Sequence, residues 1–387
     1  MTAPFTRHHA PALCPLLAAL ALAGSLPTSA QVGTLPQIST AAEMQRRQSL
    51  MTNPLHGTTT QVSQEEAPSL YQDEFDDVGH QFIVKVKPRR TWVEARVDSQ
   101  FYYTSNFGYT EPDTDPDPID TSVLLSTAEF AISPTFDLGG GKLNPRLGYR
   151  HQWYNYDIVE NNIDIDGLGF GLNNFDFDIQ TVFAEARYTF PDQEWYCFIG
   201  AEWNRYLSHE QPVNDYDEFY KEFLPYLGIQ KSFPLGESAL FSIEYDAYLH
   251  VTEVTPASDL LTADGIPLFT VDDSGNPVPA AQFDPRPNAY INDRMDHVLT
   301  LTFAYMPLES VILRPFYRFM YTDYLKGDWG DRNDTIQTIG LVATWDLAKW
   351  CQLRGFISYD HHESDDERIP DYRKWDAGSG VSLSVKF

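Results

Sequence analysis

Arginines and carboxylates on the polar side of alternating stretches are the residues here whose types and spacing can do chemistry. Arg96, Arg146, Arg150, Arg187, Arg314, Arg318 and Arg354 fall on that side in one group of stretches. Glu202, Glu222, Glu244, Asp246 and Asp296 fall on it in another, where we read no arginine on the same side. Guanidinium forks grip carboxylates and phosphates in bidentate fashion. A basic wall facing an acidic wall sets up a transverse field across whatever space lies between them.

Three weaker constellations accompany them. Asp360-His361-His362-Glu363 could supply a His-carboxylate pair that activates water, although adjacent strand positions face opposite ways, so one histidine at most serves a given site. His151, between Tyr149 and Trp153, falls on an apolar side with no serine clearly placed beside it. Asn162, Asp164 and Asp166 imitate the start of a calcium loop, but Asn173 stands where the bidentate Glu belongs and no flanking helices are read. We expect no cofactor; divalent cations at acidic loops (Asp113, Asp115, Asp117 and Asp120; Asp215, Asp217 and Glu218; Asp365, Asp366 and Glu367) are the metal chemistry left open.

The elements that must position these residues are strands. From Thr91 onward the apolar period is two. Ala239, Phe241, Ile243, Tyr245, Ala247, Leu249 and Val251 oppose Ser242, Glu244, Asp246, Tyr248 and His250. Similar stretches occupy 91–104, 122–136, 143–156, 175–190, 194–207, 218–233, 295–306, 310–322, 335–347, 350–361 and 374–387. That makes about twelve strands, with 10 and 14 still open. Pro134, Pro225 and Pro315 lie within them and demand a strand end or a bulge, because a closed sheet has no edge to absorb a missing N–H.

Connections alternate in length. Tight ones follow every second strand, at Gly139-Gly140-Gly141, 190–193, 233–236, 306–309 and 347–349; long ones lie between, at 105–121, 157–174, 208–217, 252–294, 323–334 and 362–373. An up-and-down barrel sorts its loops this way. Trp92, Phe136, Phe190, Trp195, Phe233, Tyr305, Trp345 and Trp350 lie near the tight turns, and Trp153, Trp203, Phe219, Tyr321, Tyr359 and Trp375 toward the other end. Two aromatic girdles around an apolar band are what a bilayer selects. The fold class is therefore all-β, a transmembrane up-and-down antiparallel barrel.

Val381, Leu383, Val385 and Phe387 alternate with Ser382, Ser384 and Lys386, and the last residue is aromatic. In this the sequence resembles bacterial outer-membrane β-barrel proteins, porin-like in class, over residues 91–387. The resemblance implies an outer-membrane location, a lipid surround, and recognition of the terminal strand by the barrel-assembly machinery.

Ahead of the barrel, 1–30 reads as a secretory signal, with Arg7 leading an apolar run and Thr28-Ser29-Ala30 at a cleavage site. Residues 31–90 read as a largely unstructured periplasmic lead, within which 82–86 alternates. Cys197 and Cys351 survive cleavage on distant strands, so we expect no disulfide. A formal charge of −28 removes nucleic acid as a partner. No stretch after the signal approaches the roughly 20 apolar residues a spanning helix needs.

Twelve tilted strands enclose a backbone cylinder roughly 24 Å across, leaving at most about 12 Å between facing side chains. One reading is a narrow passive channel for small polar or anionic solutes. The other is a lumen closed by pairing of those arginines with Glu94, Asp98, Glu129 and Glu185, in a barrel that acts as surface anchor or adhesin; a lipid hydrolase or protease is the third class.

Overall fold

The structure, a computed structural model, describes residues 92–106, 120–156, 158, 176–192, 194–210, 215–254, 269–271, 277–279, 292–326, 330–367, 369 and 371–387. The signal and lead (1–90), the calcium-like Asn162, Asp164 and Asp166, and Asp113, Asp115 and Asp117 lie outside them. So do the side chains of Asp215, Asp217 and Phe219.

In chain order the strands are β1 (Val93–Thr104), β2 (Thr121–Ile132), β3 (Phe136–Leu138), β4 (Gly141–Tyr156), β5 (Phe177–Thr189), β6 (Trp195–Glu210), β7 (Asp215–Pro234), β8 (Ala239–Val254), β9 (Phe269–Val271), β10 (Pro277–Pro279), β11 (Arg294–Leu308), β12 (Val311–Tyr324), β13 (Asn333–Ala348), β14 (Cys351–Ser364) and β15 (Tyr372–Lys386). Every barrel strand pairs antiparallel with its neighbours in sequence, and β1 pairs with β15, so twelve long strands close into a cylinder. The short β3 continues β2 along β4, while β9 and β10 form a separate hairpin inside the 252–294 connection that the sequence pattern does not show.

The seam is continuous. Glu94 pairs with Lys386 and Thr104 with Asp376, and the backbone of Phe387 exchanges bonds with Val93, donating to its carbonyl at 2.9 Å and accepting from its N–H at 3.0 Å. Closure leaves no open edge, the condition for a sheet in hydrocarbon.

Each proline is absorbed locally. Pro134 sits in the break between β2 and β3, where its carbonyl accepts from Asn144 Nδ2 at 2.9 Å. Pro225 stays in register with Ala201 of β6, but the ladder to β8 passes over Leu224 and Pro225. Pro315 faces Leu341 of β13 while the ladder to β11 passes over it in the same way. A proline thus loses bonding on one side only.

Turn chemistry explains the tight end. Gly139 and Gly140, at φ 59° and 85°, make the β3–β4 hairpin, and Gly236 at φ 80° lies in the β7–β8 turn. The third long connection is shorter than its sequence span, because β6 and β7 run on to Glu210 and from Asp215.

Outward positions carry the exposed apolar side chains, among them Val97, Phe130, Leu147, Val182, Ile243, Leu299, Ile339 and Val381. Exposed Trp92, Trp195, Trp345 and Trp350 ring the tight-turn end; Trp203, Tyr321 and Trp375 ring the other. So much apolar surface on the outside fits lipid and not water.

Inside, glycines make room for rings. Gly148 lies opposite Phe183, Gly200 opposite Tyr226, Gly228 opposite Phe198, Gly340 opposite Phe316 and Gly378 opposite Tyr102. A methyl group at Gly228 would collide with the Phe198 ring and the Asp246 carboxylate. Gly228→Val therefore overpacks the interior, and it is expected to cost about 1–3 kcal/mol, read as a lower urea midpoint of the barrel in detergent. Gly355→Ala, where an added Cβ would meet nothing nearer than the Gly378 carbonyl oxygen at 3.8 Å, should move that midpoint less.

Candidate functional site

The inner wall is the candidate site, and strand parity builds it. Even positions of β1 point inward, so Arg96, Asp98 and Gln100 share a face; the same holds for Glu222 on β7, Glu244, Asp246 and His250 on β8, Asp296 on β11, and Arg314 and Arg318 on β12. All seven arginines and all five acids singled out from the sequence lie on the interior side.

The arginines do not stand alone. Arg96 donates to Ser382 Oγ at 3.0 Å and faces Asp98 at 3.3 Å; Arg354 also bonds Asp98, whose other oxygen accepts from Gln100 at 2.8 Å. Arg146 bonds Glu129 and lies 3.8 Å from Glu94, and Arg187 reaches Glu185 at 3.2 Å and sits 5.2 Å over the Tyr196 ring. Each of the carboxylates Glu94, Asp98, Glu129 and Glu185 is in contact with an arginine.

Nor are the basic and acidic groups segregated. Arg150, buried, is 3.7 Å from Glu129 on its own side and donates to Glu202 of β6 at 2.7 Å. A correction applies to the acidic wall: Arg294 opens β11 one position before the stretch read from sequence, points inward, and lies 3.4 Å from Asp296. The acidic group therefore has a guanidinium of its own.

From Arg150 the contacts run on around the wall. Thr181 donates to Asn204 at 2.7 Å, and Asn204 donates to Glu222 at 3.0 Å. His250 then stands between Glu222 and Asp296, and Thr322 donates to Asp296 at 2.8 Å. Elsewhere, Tyr196 donates to Glu244 at 3.0 Å, and Arg314 donates to Thr344 at 3.2 Å. Arg314 and Arg318 are half-buried, whereas Arg96, Arg150 and Arg354 are buried.

Lys374, Asp376, Arg332 and Asp334, which the sequence reading passed over, complete the wall with Asp360 and His362. Lys374 lies 3.6 Å from Asp360 and 3.4 Å from Asp376, and Arg332 bonds Asp334, which also faces His362 Nε2 at 3.2 Å. Parity was the available signal, since Asp360 and His362 share a face on β14 and Lys374 and Asp376 share one on β15.

The hydrolytic candidates separate as parity demands. His362 points inward and His361 outward, the latter 3.8 Å from Glu363. On the outer wall His151 stacks on Trp153 at 4.2 Å between ring centroids and meets Asp178 at 2.8 Å. Cys197 and Cys351 are both free. Among the described residues no group of three or more His, Cys, Asp or Glu side chains is arranged to hold a metal ion.

An apolar exterior, a charged interior, two aromatic rings and edge-free closure define an outer-membrane β-barrel. No family model and no curated protein matches the sequence. Among solved structures, the chain is similar to an outer-membrane channel from Pseudomonas putida F1, with TM-score 0.45, 10% identity, and coverage of 79% of this chain and 100% of that one. It is also similar to the β domain of the Bordetella autotransporter BrkA, with TM-score 0.40, 13% identity and coverage of 77% and 100%. The translocator domain of the autotransporter NalP from Neisseria meningitidis matches at TM-score 0.38 and 11% identity, over 91% and 99%.

Stability should reveal the Arg150–Glu202 link. Arg150→Ala takes the guanidinium from a buried carboxylate and is expected to cost about 3–5 kcal/mol, whereas Arg150→Met with Glu202→Leu, which removes both charges, should cost far less. Urea unfolding of the refolded barrel in micelles checks this; equal losses for the two variants would contradict it.

Proposed function

We propose that the protein is a narrow passive channel of the outer membrane, passing small polar solutes and favouring anions. The observation that supports this reading is the charge of the interior: inward positions carry ionised side chains on nearly every strand, with Arg314 and Arg318 half-buried on the inner face of β12. Burying ion pairs gives less stability than apolar side chains of equal volume. A barrel serving only to hold loops at a surface has no use for that cost, while a water-filled path needs polar walls. Arginines along such a path attract anions and orient polyhydroxylic solutes by paired hydrogen bonds.

The contacts between Arg150 and Glu202 and between Arg354 and Asp98 favour a second reading, a lumen closed by its own side chains in a barrel that acts as a surface anchor. Lipid around the wall and the assembly machinery at Val381, Leu383, Val385 and Phe387 are partners under both readings. Catalysis has no part in either.

Single-channel recording of the refolded protein in a planar bilayer separates them. The channel reading expects steady openings, with a reversal potential in a salt gradient that shows anion preference, and a loss of that preference in Arg314→Ala and Arg318→Ala. A silent bilayer from protein whose heat-modifiable migration shows a folded barrel would instead support the closed anchor.

A further inference from the structure

Between β7, β8 and β11 three buried bases, Glu222, His250 and Asp296, meet at hydrogen-bond distance. His250 Nδ1 lies 2.6 Å from Glu222 Oε1, and Nε2 lies 2.9 Å from Asp296 Oδ2. An ionised carboxylate accepts and cannot donate. Two such contacts therefore require two protons, the number held by an imidazolium between two carboxylates. His362 differs, with Nε2 3.2 Å from Asp334 and no partner at Nδ1.

The outer oxygens of the trio are held as well. Glu222 Oε2 accepts from Asn204 Nδ2 at 3.0 Å, and the Tyr220 hydroxyl lies 3.4 Å from Oε1. Asp296 Oδ1 accepts from Thr322 at 2.8 Å and faces Arg294 Nε at 3.4 Å. The charged and titratable groups around His250 are thus Glu222 and Tyr220 from β7 and Arg294 and Asp296 from β11. Tyr324 of β12 lies in register with Arg294, and Asp293 ahead of β11 is paired with Lys326 at 2.6 Å. With the ring protonated, Glu222, His250, Asp296 and Arg294 sum to zero charge.

We propose that Glu222, His250 and Asp296 form a proton-dependent latch on the inner wall, closed while both protons are held and released when rising pH draws one off to water. One contact then sets two lone pairs against each other at hydrogen-bond distance, and the quartet carries an unbalanced negative charge in a buried place. Relief comes when a carboxylate swings into the lumen and hydrates. The backbone ladders of β7, β8 and β11 persist, but the side-chain contacts that continue through Asn204 toward Arg150 and Glu202 lose their anchor. The latch rests on the channel reading where it predicts a change in current, and on hydrogen-bond geometry alone where it predicts a protonation state.

Two measurements test it on the full mature chain. In micelles, the ring nitrogens of ¹⁵N-histidine-labelled protein, with His250 assigned through His250→Gln, should report a doubly protonated ring at neutral pH. In a bilayer, conductance should rise about twofold or more between about pH 6 and about pH 9, and His250→Gln should abolish the rise while His362→Gln keeps it. A neutral His250 ring at pH 7, or an open channel whose conductance profile is unchanged in His250→Gln, would overturn the latch. A ring doubly protonated at pH 7 that loses a proton by about pH 9, beside a bilayer silent at every pH, would support the latch and overturn the channel.

Discussion

In hydrocarbon, every backbone N–H and C=O must find its partner within the protein, and a sheet meets that demand by closing on itself. The rest of this structure depends on that closure. The β1–β15 seam, with eleven register pairs from Glu94–Lys386 to Thr104–Asp376, turns twelve strands into a wall without an edge. Once the wall is closed, strict alternation has only one meaning: one side chain in two goes to lipid and the next to the interior. The prolines show how tightly closure constrains the chain, since Pro134 ends a strand and Pro225 and Pro315 each interrupt the ladder on one side only.

The interior then faces an electrostatic problem that the exterior does not. Ions crowded inside a cylinder of this bore must be paired, hydrated or neutralised. Pairing within one strand face, as between Arg187 and Glu185, is joined by pairing between strands, as between Arg354 and Asp98 and between Arg150 and Glu202. Glycines opposite aromatic rings settle the remaining steric demand by letting Phe183, Tyr226 and Phe316 lie over bare backbone. Polar groups and rings together set the bore, and a channel or a closed lumen differs only in how firmly they hold.

Much of this is legible in the sequence. Period two from Thr91, alternating loop lengths and the aromatic rings specify the barrel, because each records a physical demand of the bilayer repeated strand after strand. Parity alone placed Arg96 through Arg354 and Glu202 through Asp296 on the inner face. What parity cannot give is who meets whom around the circumference. Arg294 escaped because it opens its strand, where boundaries are least defined by pattern; it changes the balance of the acidic wall through its contact with Asp296. His250 was visible as a polar-face residue, but its position between Glu222 and Asp296 depends on the register of β8 against both β7 and β11, which no local pattern encodes. The β9–β10 hairpin, with strands of three residues, is too short to show a period.

The central claim is the division of each strand into a lipid face and an interior face, and spin labels carried one at a time along β8 test it most directly. In a Cys197→Ser, Cys351→Ser background, labels at 239–251 in reconstituted bilayers would be read by their collision rates with oxygen and with a polar nickel chelate. The account predicts a period of two, with Phe241, Ile243, Tyr245, Ala247 and Leu249 open to oxygen from the lipid, and Ser242, Glu244, Asp246, Tyr248 and His250 shielded from it. Oxygen accessibility without alternation, or alternation of the opposite phase, would contradict the barrel as described.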